Sequence, residues 1–161
     1  MGANETQVGG SHYKTEYEHW DLAIVCQLPY MEGTATKYVA RWRKKNGLED
    51  LQKALHYHDK LLEVATCTWS PRVMKQAEIT KEVQRFALAN KLCREEEEYI
   101  HLLCSYRSKL ELELARGILC ALIEVAKAAD FIINETKKVE PNYPGTPENG
   151  GHHEQGTKEE D

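Results

Sequence analysis

Apolar residues recur at helical spacing along most of the chain, and no segment has the period of a β-strand. Three amphipathic segments come first, over Tyr17–Leu28, Tyr30–Asn46 and Leu48–Ala65. Pro29 ends the first of them. Asn46-Gly47 ends the second, because glycine tolerates the left-handed conformation of a helix cap. The pattern predicts an all-α fold that begins with a small N-terminal helical domain over residues 10–65.

A second helical region follows Pro71, with no further proline until Pro141. One helix of about 70 residues would be about 100 Å long, so we expect a turn near Ser105–Lys109 and a long antiparallel helical hairpin over residues 70–139. An apolar stripe marks its second half, at Leu110, Leu114, Ile118, Ala121/Leu122, Val125, Ala128/Ala129 and Ile132. This stripe is more apolar than one partner helix requires, so it predicts a homo-oligomer.

Both ends of the chain are polar. Residues 1–9 predict a flexible lead-in, and residues 140–161 predict a disordered tail, because three prolines, four glycines and almost no apolar side chain cannot offset the entropy of ordering. The tail holds six acids and one base, which accounts for the whole net charge of −5. Residues 1–139 are therefore neutral, and this balance, with only one short basic run, argues against nucleic acid as a partner.

Composition also narrows the location. The sequence has no run of 18 apolar residues and no basic-then-apolar leader, so we expect neither a membrane span nor secretion. The five cysteines are an odd number without a Cys-x-x-Cys pair, which favours reduced thiols in a cytoplasm.

Several sites with known sequence patterns are missing. There is no P-loop, no Gly-x-Gly-x-x-Gly turn and no His-Glu-x-x-His pair. His56 and His58 are about 200° apart on a helix, and His101 with Cys104 offers two metal ligands without a third. The sequence predicts no metal site.

A basic run is the first feature that indicates chemistry. It consists of Lys37, Arg41, Arg43, Lys44 and Lys45. In one continuous helix, Lys37, Arg41, Lys44 and Lys45 fall largely on one face, where like charges repel each other unless an anionic ligand, an acidic neighbour or solvent screening compensates them. Lys53 and Tyr57 lie on the next helix, whose N-terminus could itself bind phosphate. The alternative interpretation is a solvated basic face without a ligand.

The loop Gly10-Ser11-His12-Tyr13-Lys14 precedes the first helix. Together with Gly33-x-x-x-Lys37-Tyr38-x-x-Arg41-x-x-x-Lys45-x-Gly47-x-Glu49-Asp50-Leu51-x-Lys53-Ala54-x-x-Tyr57, it closely resembles a family of small tailed-phage proteins, often described as a domain of unknown function. That family includes a phage nucleotide kinase that lacks a P-loop and phosphorylates deoxynucleoside monophosphates such as dTMP and dGMP. The resemblance covers about residues 9–63. Thr34 departs from it, because the family usually has asparagine there.

The resemblance implies a nucleoside monophosphate kinase in the cytoplasm of an infected bacterium, with a nucleoside triphosphate as phosphate donor. It implies His12 and Arg41 as catalytic residues. The implied phosphate- and substrate-binding residues are Ser11, Tyr13, Lys14, Gly33, Lys37, Tyr38, Lys45, Lys53 and Tyr57. Mg²⁺ is compatible with such a reaction, but the sequence shows no acidic cage for it beyond Glu49 and Asp50.

Two other functions stay open. One is a non-catalytic nucleotide binder that sequesters a defence signal or serves as an oligomeric adaptor. The other is a helical nucleotide pyrophosphatase, which holds magnesium with Glu-x-x-Glu and Glu-x-x-Asp on paired helices. Glu95 to Glu98 offer the first half of that pattern, but Lys127 stands three residues after Glu124, where the second half needs an acid.

Overall fold

The computed structural model of the chain describes residues 15–65 and 74–138, with side chains up to residue 136. The predicted lead-in and the predicted tail, residues 1–9 and 140–161, lie outside the described residues. The helices are α1 (His19–Val25), α2 (Tyr30–Arg41), α3 (Leu48–Val64), α4 (Gln76–Asn90), α5 (Arg94–Ser105) and α6 (Lys109–Lys138). No strand occurs in these two stretches, and the predicted all-α class is confirmed.

The second predicted helix is shorter than expected. α2 ends at Arg41 rather than Asn46, and a 3₁₀ turn follows over Trp42–Lys44. Gly47 then starts α3 with a positive φ of 56°. α1 is also shorter than the predicted segment Tyr17–Leu28, and the residue it buries fully is Leu22, whereas Trp20 and Ile24 are exposed.

The region after residue 73 forms three helices, where the sequence predicted a two-helix hairpin. The predicted turn is present, because residues 106–108 separate α5 from α6 and those two helices pack together. The second break, over residues 91–93, was missed. Lys91 caps α4 in the left-handed conformation at φ 57°, a role that glycine usually fills, so no glycine marks this break along the chain.

Side chains from α1–α3 and from α4–α6 form one hydrophobic core. Leu22, Val39 and Leu51 meet Phe86 and Leu119 there, all fully buried. The domain boundaries drawn from the sequence stay a prediction, but α3 packs extensively on α6. The core therefore fixes α1–α3 against the helices that follow.

One histidine lies inside this core. His58 donates from Nε2 to the carbonyl oxygen of Leu112 at 2.9 Å, so its Nδ1 accepts from the hydroxyl of Tyr99 at 3.2 Å. Burial lowers the pKa of His58, and the neutral ring links α3 to α5 and α6.

In residues 15–65 and 74–138, no helix is both long enough and apolar enough to cross a bilayer.

Candidate functional site

The candidate site is the outer surface of α2 with the adjoining parts of α1 and α3. Tyr30, Lys37 and Arg41 recur on one side of α2 at helical spacing. The row of cations predicted from the sequence is broken after Arg41, because Lys44 and Lys45 belong to the 3₁₀ turn and its cap. The sequence predicted that Lys45 shares the helical face of Lys37 and Arg41. In the structure the helix ends before Lys45, so Lys45 does not continue that face.

Arg41 is held by a buried carboxylate. Its Nε donates to Asp50 Oδ2 at 3.0 Å and its Nη2 to Oδ1 at 3.4 Å, while Asn46 donates to the same Oδ1 at 2.9 Å. The Asp50 side chain is fully buried and that of Arg41 is 12% exposed. The ion pair joins the end of α2 to the first turn of α3, and it fixes the direction of the guanidinium.

Three tyrosines form a cluster beside that ion pair. Tyr57 stacks on Tyr38 with ring centroids 5.9 Å apart and meets the edge of Tyr30 at 6.0 Å. The Arg41 guanidinium lies over the Tyr38 ring, 4.8 Å from its centroid. Tyr38 is therefore engaged already, whereas Tyr30 is 70% exposed and presents a ring to solvent.

Sequence reasoning overlooked Tyr30 and selected Tyr38 and Tyr57 instead. Tyr30 is the first residue of α2, directly after Pro29, and from the sequence alone it indicates only the start of a helix. Its position at the helix spacing of Lys37 and Arg41, seven and eleven residues before them or about two and three turns, is the signal that could have found it.

His19 is the second residue that was overlooked. Thr36 gives its single hydroxyl proton to a helix carbonyl, nearest that of Glu32 at 2.8 Å, so the Nε2 of His19 donates to the Thr36 oxygen at 2.9 Å. Burial, and then the charges of Lys37 and Arg41, lower the pKa of His19 to about 4. A neutral imidazole therefore stands beside two cations at pH 7.

The acids near the site are already paired. Lys53 binds Glu49 at 2.5 Å, and Asp50 binds Arg41. Glu49 and Asp50 both lie in the first turn of α3, where their charges compensate the positive end of the helix dipole. Two carboxylates at this N-terminus disfavour the predicted binding of phosphate there. Their ion pairs with Arg41 and Lys53 also disfavour a carboxylate cage for Mg²⁺.

Two small residues complete the surface. A methyl group on Gly33 would lie 3.8 Å from the Leu28 Cβ, an ordinary contact, so packing within the fold does not require glycine there. Thr34 donates its hydroxyl to the Tyr30 carbonyl at 2.6 Å.

Arg43 belongs to a different part of the molecule. It donates to Glu96, which is fully buried on α5 and also accepts from Trp42 Nε1 and from the backbone N–H of Cys93. Arg43 is thus a structural link between the 3₁₀ turn and α5. Glu96 thus already accepts three hydrogen bonds. Glu95 to Glu98 are consecutive on a helix and point in different directions, so they do not form half of a magnesium site.

Some predicted site residues cannot be placed. Ser11, His12, Tyr13 and Lys14 lie outside the described residues. In the described part of the chain, no group of three or more His, Cys, Asp or Glu side chains could hold a metal ion. The structure brings Lys37, Tyr38, Arg41, Tyr57 and, at the edge, Lys53 to one region of α2 and α3.

Comparison with known proteins adds one finding. Residues 9–59 match a family described as proteins of unknown function, DUF3310. The match covers less than half of the chain and contains α1, α2 and most of α3. No curated protein and no solved structure matches the chain significantly.

Proposed function

We propose that the outer surface of α2 binds a nucleotide, and that the protein is a P-loop-less nucleoside monophosphate kinase of a bacteriophage, active in the cytoplasm of the infected host. One observation carries the proposal. An exposed tyrosine, Tyr30, lies on the same helix face as two cations, Lys37 and the rigidly held Arg41. Aromatic rings stack on bases, and fixed guanidinium groups bind phosphate oxygens.

The distribution of roles follows from the contacts. Tyr30 would stack on the base, with Tyr57 in T-shaped contact with its ring. Lys37 and Arg41 would hold phosphate groups, and the Asp50 pair would keep the arginine oriented before the ligand arrives. Phosphoryl transfer needs positioning and charge stabilisation more than covalent chemistry, so such a surface is chemically adequate for it. His12, which the resemblance implies as a catalytic residue, would bind phosphate or orient the acceptor.

The pairing of the acids favours a second candidate, a binder without turnover. Asp50 is committed to a buried ion pair, and Glu49 is left as a single exposed carboxylate that already binds Lys53, so α3 offers no paired acids of the kind with which Mg²⁺ usually assists a kinase. A protein that sequesters a signal nucleotide needs only affinity. Assembly into a homo-oligomer is a separate proposal, since a different surface carries it.

A product assay separates the two candidates. The full chain is incubated with ATP and each deoxynucleoside monophosphate in turn, with and without EDTA, and the nucleotides are resolved by ion-exchange chromatography. ADP together with a deoxynucleoside diphosphate is the result expected of the kinase. Unchanged nucleotides that nevertheless bind the protein would support the binder, and neither turnover nor binding would overturn both.

A charge variant tests the phosphate contact. Lys37→Gln should weaken nucleotide binding about tenfold, the scale of one charged hydrogen bond. The matched control is Lys44→Gln, an equally exposed lysine on the 3₁₀ turn, which should bind as the wild type does. Equal losses in the two variants would indicate a diffuse charge effect without a site.

A further inference from the structure

Helix α6 carries two apolar faces, and the fold covers one of them. The inner face consists of Leu112, Ala115, Leu119, Leu122, Ile123 and Ala126, all buried in the core. A second row, which we call the outer stripe, consists of Leu114, Ile118, Ala121, Val125, Ala128 and Ile132. Leu114, Val125 and Ile132 are 55%, 67% and 60% exposed. The two rows are more than 100° apart around the helix. The bundle covers the first row and leaves most of the second open, although Ile118 is partly buried and packs against the core.

The C-terminal part of α6 extends beyond the bundle. Ala126 is the last buried side chain in the described part of the helix, and every side chain from Lys127 to Thr136 is exposed. Ten residues of helix are about 15 Å long. Phe131, Ile132 and Ile133 lie in this extension, and an isolated helix of this length would gain little stability from its own hydrogen bonds.

We propose that the outer stripe pairs with the outer stripe of a second copy of this chain, in an antiparallel homodimer. Its spacing of 4, 3, 4, 3 and 4 residues is the alternation of a coiled-coil seam. The exposed large side chains of the stripe, Leu114, Val125 and Ile132, each contribute on the order of 100 Å² of apolar surface. They would form the apolar centre of an interface, and a standard interface buries roughly 800 Å² per partner.

The order of large and small residues indicates the direction of pairing. In an antiparallel pair centred near residue 123, Val125 faces Ala121 of the second copy and Ile118 faces its Ala128. The outermost layer joins Ile132 to Leu114, which places the extension of one copy against the bundle of the other. A parallel pair would instead set alanine against alanine in two layers and leave gaps that a well-packed seam lacks.

The oligomeric state tests the surface. Light scattering after size-exclusion chromatography at micromolar concentration should give twice the mass of one chain. The double variant Val125→Glu/Ile132→Glu should raise the dissociation constant about 100-fold or more and run as a monomer with unchanged helical circular dichroism, because both side chains are outside the core. Leu88→Glu is the matched control, since Leu88 is 83% exposed on α4, and it should stay dimeric. A wild type of one-chain mass, or a charged variant that stays dimeric, would overturn the proposal.

Cysteine cross-linking tests the direction and also covers the case in which the charged variant misfolds. Leu114→Cys protein and Ile132→Cys protein are oxidised separately and after mixing, with wild type as the background. The antiparallel pair predicts cross-linked dimers only in the mixture, because identical positions would be about 27 Å apart. Cross-links within each separate sample would show a parallel pair, and none in the mixture would contradict the seam.

Discussion

At the scale of the residue, Arg41 combines its proposed role in ligand binding with a structural one. Its charge is paired with Asp50, which is fully buried. Without Arg41, Asp50 would keep the hydrogen bond from Asn46 but would lose its cation. From the sequence alone, Arg41 is one of several cations on one helix face, and removing it would reduce their mutual repulsion. The structure reverses that expectation, because the repulsion is compensated and the buried acid depends on the arginine.

Arg41→Ala should therefore destabilise the fold by about 2–4 kcal/mol, since it leaves a buried carboxylate without its cation. Urea unfolding followed by circular dichroism measures the change. Lys44→Ala is the control and should stay within about 0.5 kcal/mol of the wild type. If Arg41→Ala and Lys44→Ala unfold at the same urea concentration, the ion pair contributes nothing and the arginine is free to act as a ligand alone.

At the scale of the element, two glycines have opposite roles. Gly33 lies inside α2 with room for a methyl group, whereas Gly47 starts α3 at φ 56° and ψ −135°, a conformation that other residues rarely adopt. Gly33→Ala should stabilise the protein by about 0.5–1 kcal/mol, and Gly47→Ala should destabilise it by about 1–3 kcal/mol.

Thermal and urea unfolding of both glycine variants check these signs. A Gly33→Ala variant that is more stable but binds nucleotide less well would show that glycine serves the ligand rather than the helix. A loss of stability at Gly33 would mean that α2 packs more closely there than the 3.8 Å contact indicates.

The elements also show how far the sequence could predict the fold. The all-α class followed from periodicity, and the turn after Ser105 followed from the length that one unbroken helix would have. The helix stop expected at Asn46-Gly47 was placed too late, because α2 ends at Arg41. The break at Lys91 did not, because its left-handed cap lacks the glycine that would mark it. Within the site, the basic residues were visible as a run, but the partner of Arg41 and the environment of His19 depend on contacts between helices that spacing does not encode.

At the scale of the whole molecule, the helices are tied together by buried polar groups. Glu96 connects the 3₁₀ turn to α5, and His58 connects α3 to α5 and α6. His19 makes the same kind of link between α1 and α2. Both histidines form their links as neutral rings, because burial lowers the pKa of each. Acidification therefore weakens these contacts between helices.

The stability of the protein should fall as the pH drops from 7.5 to 5. The pKa of His19 is lowered to about 4 in the fold, against about 6.5 in the unfolded chain, so protons bind the unfolded state first. Stability is complete above about pH 7, and His19 alone should cost about 1–2 kcal/mol by pH 5. His58, whose pKa is also lowered, should add to the loss in the same direction.

Urea unfolding at the two pH values measures this effect. His19→Gln keeps an N–H group for Thr36 without a titrating ring, and it should reduce the loss on acidification. His56→Gln, an exposed histidine on α3, should leave the wild-type loss unchanged. The assignment fails if both variants lose as much stability as the wild type.

The central claim is that a nucleotide stacks on Tyr30, and calorimetric titration tests it most directly. ATP, dTMP and dGMP are titrated separately into wild type, Tyr30→Ala and Phe131→Ala, whose mutated rings are 70% and 67% exposed on α2 and α6. We predict that the wild type binds at least one of these nucleotides, that Tyr30→Ala weakens this binding about tenfold, as expected for a lost base–ring stack, and that Phe131→Ala leaves it unchanged. No binding by the wild type, or equal affinities in all three proteins, would contradict the account.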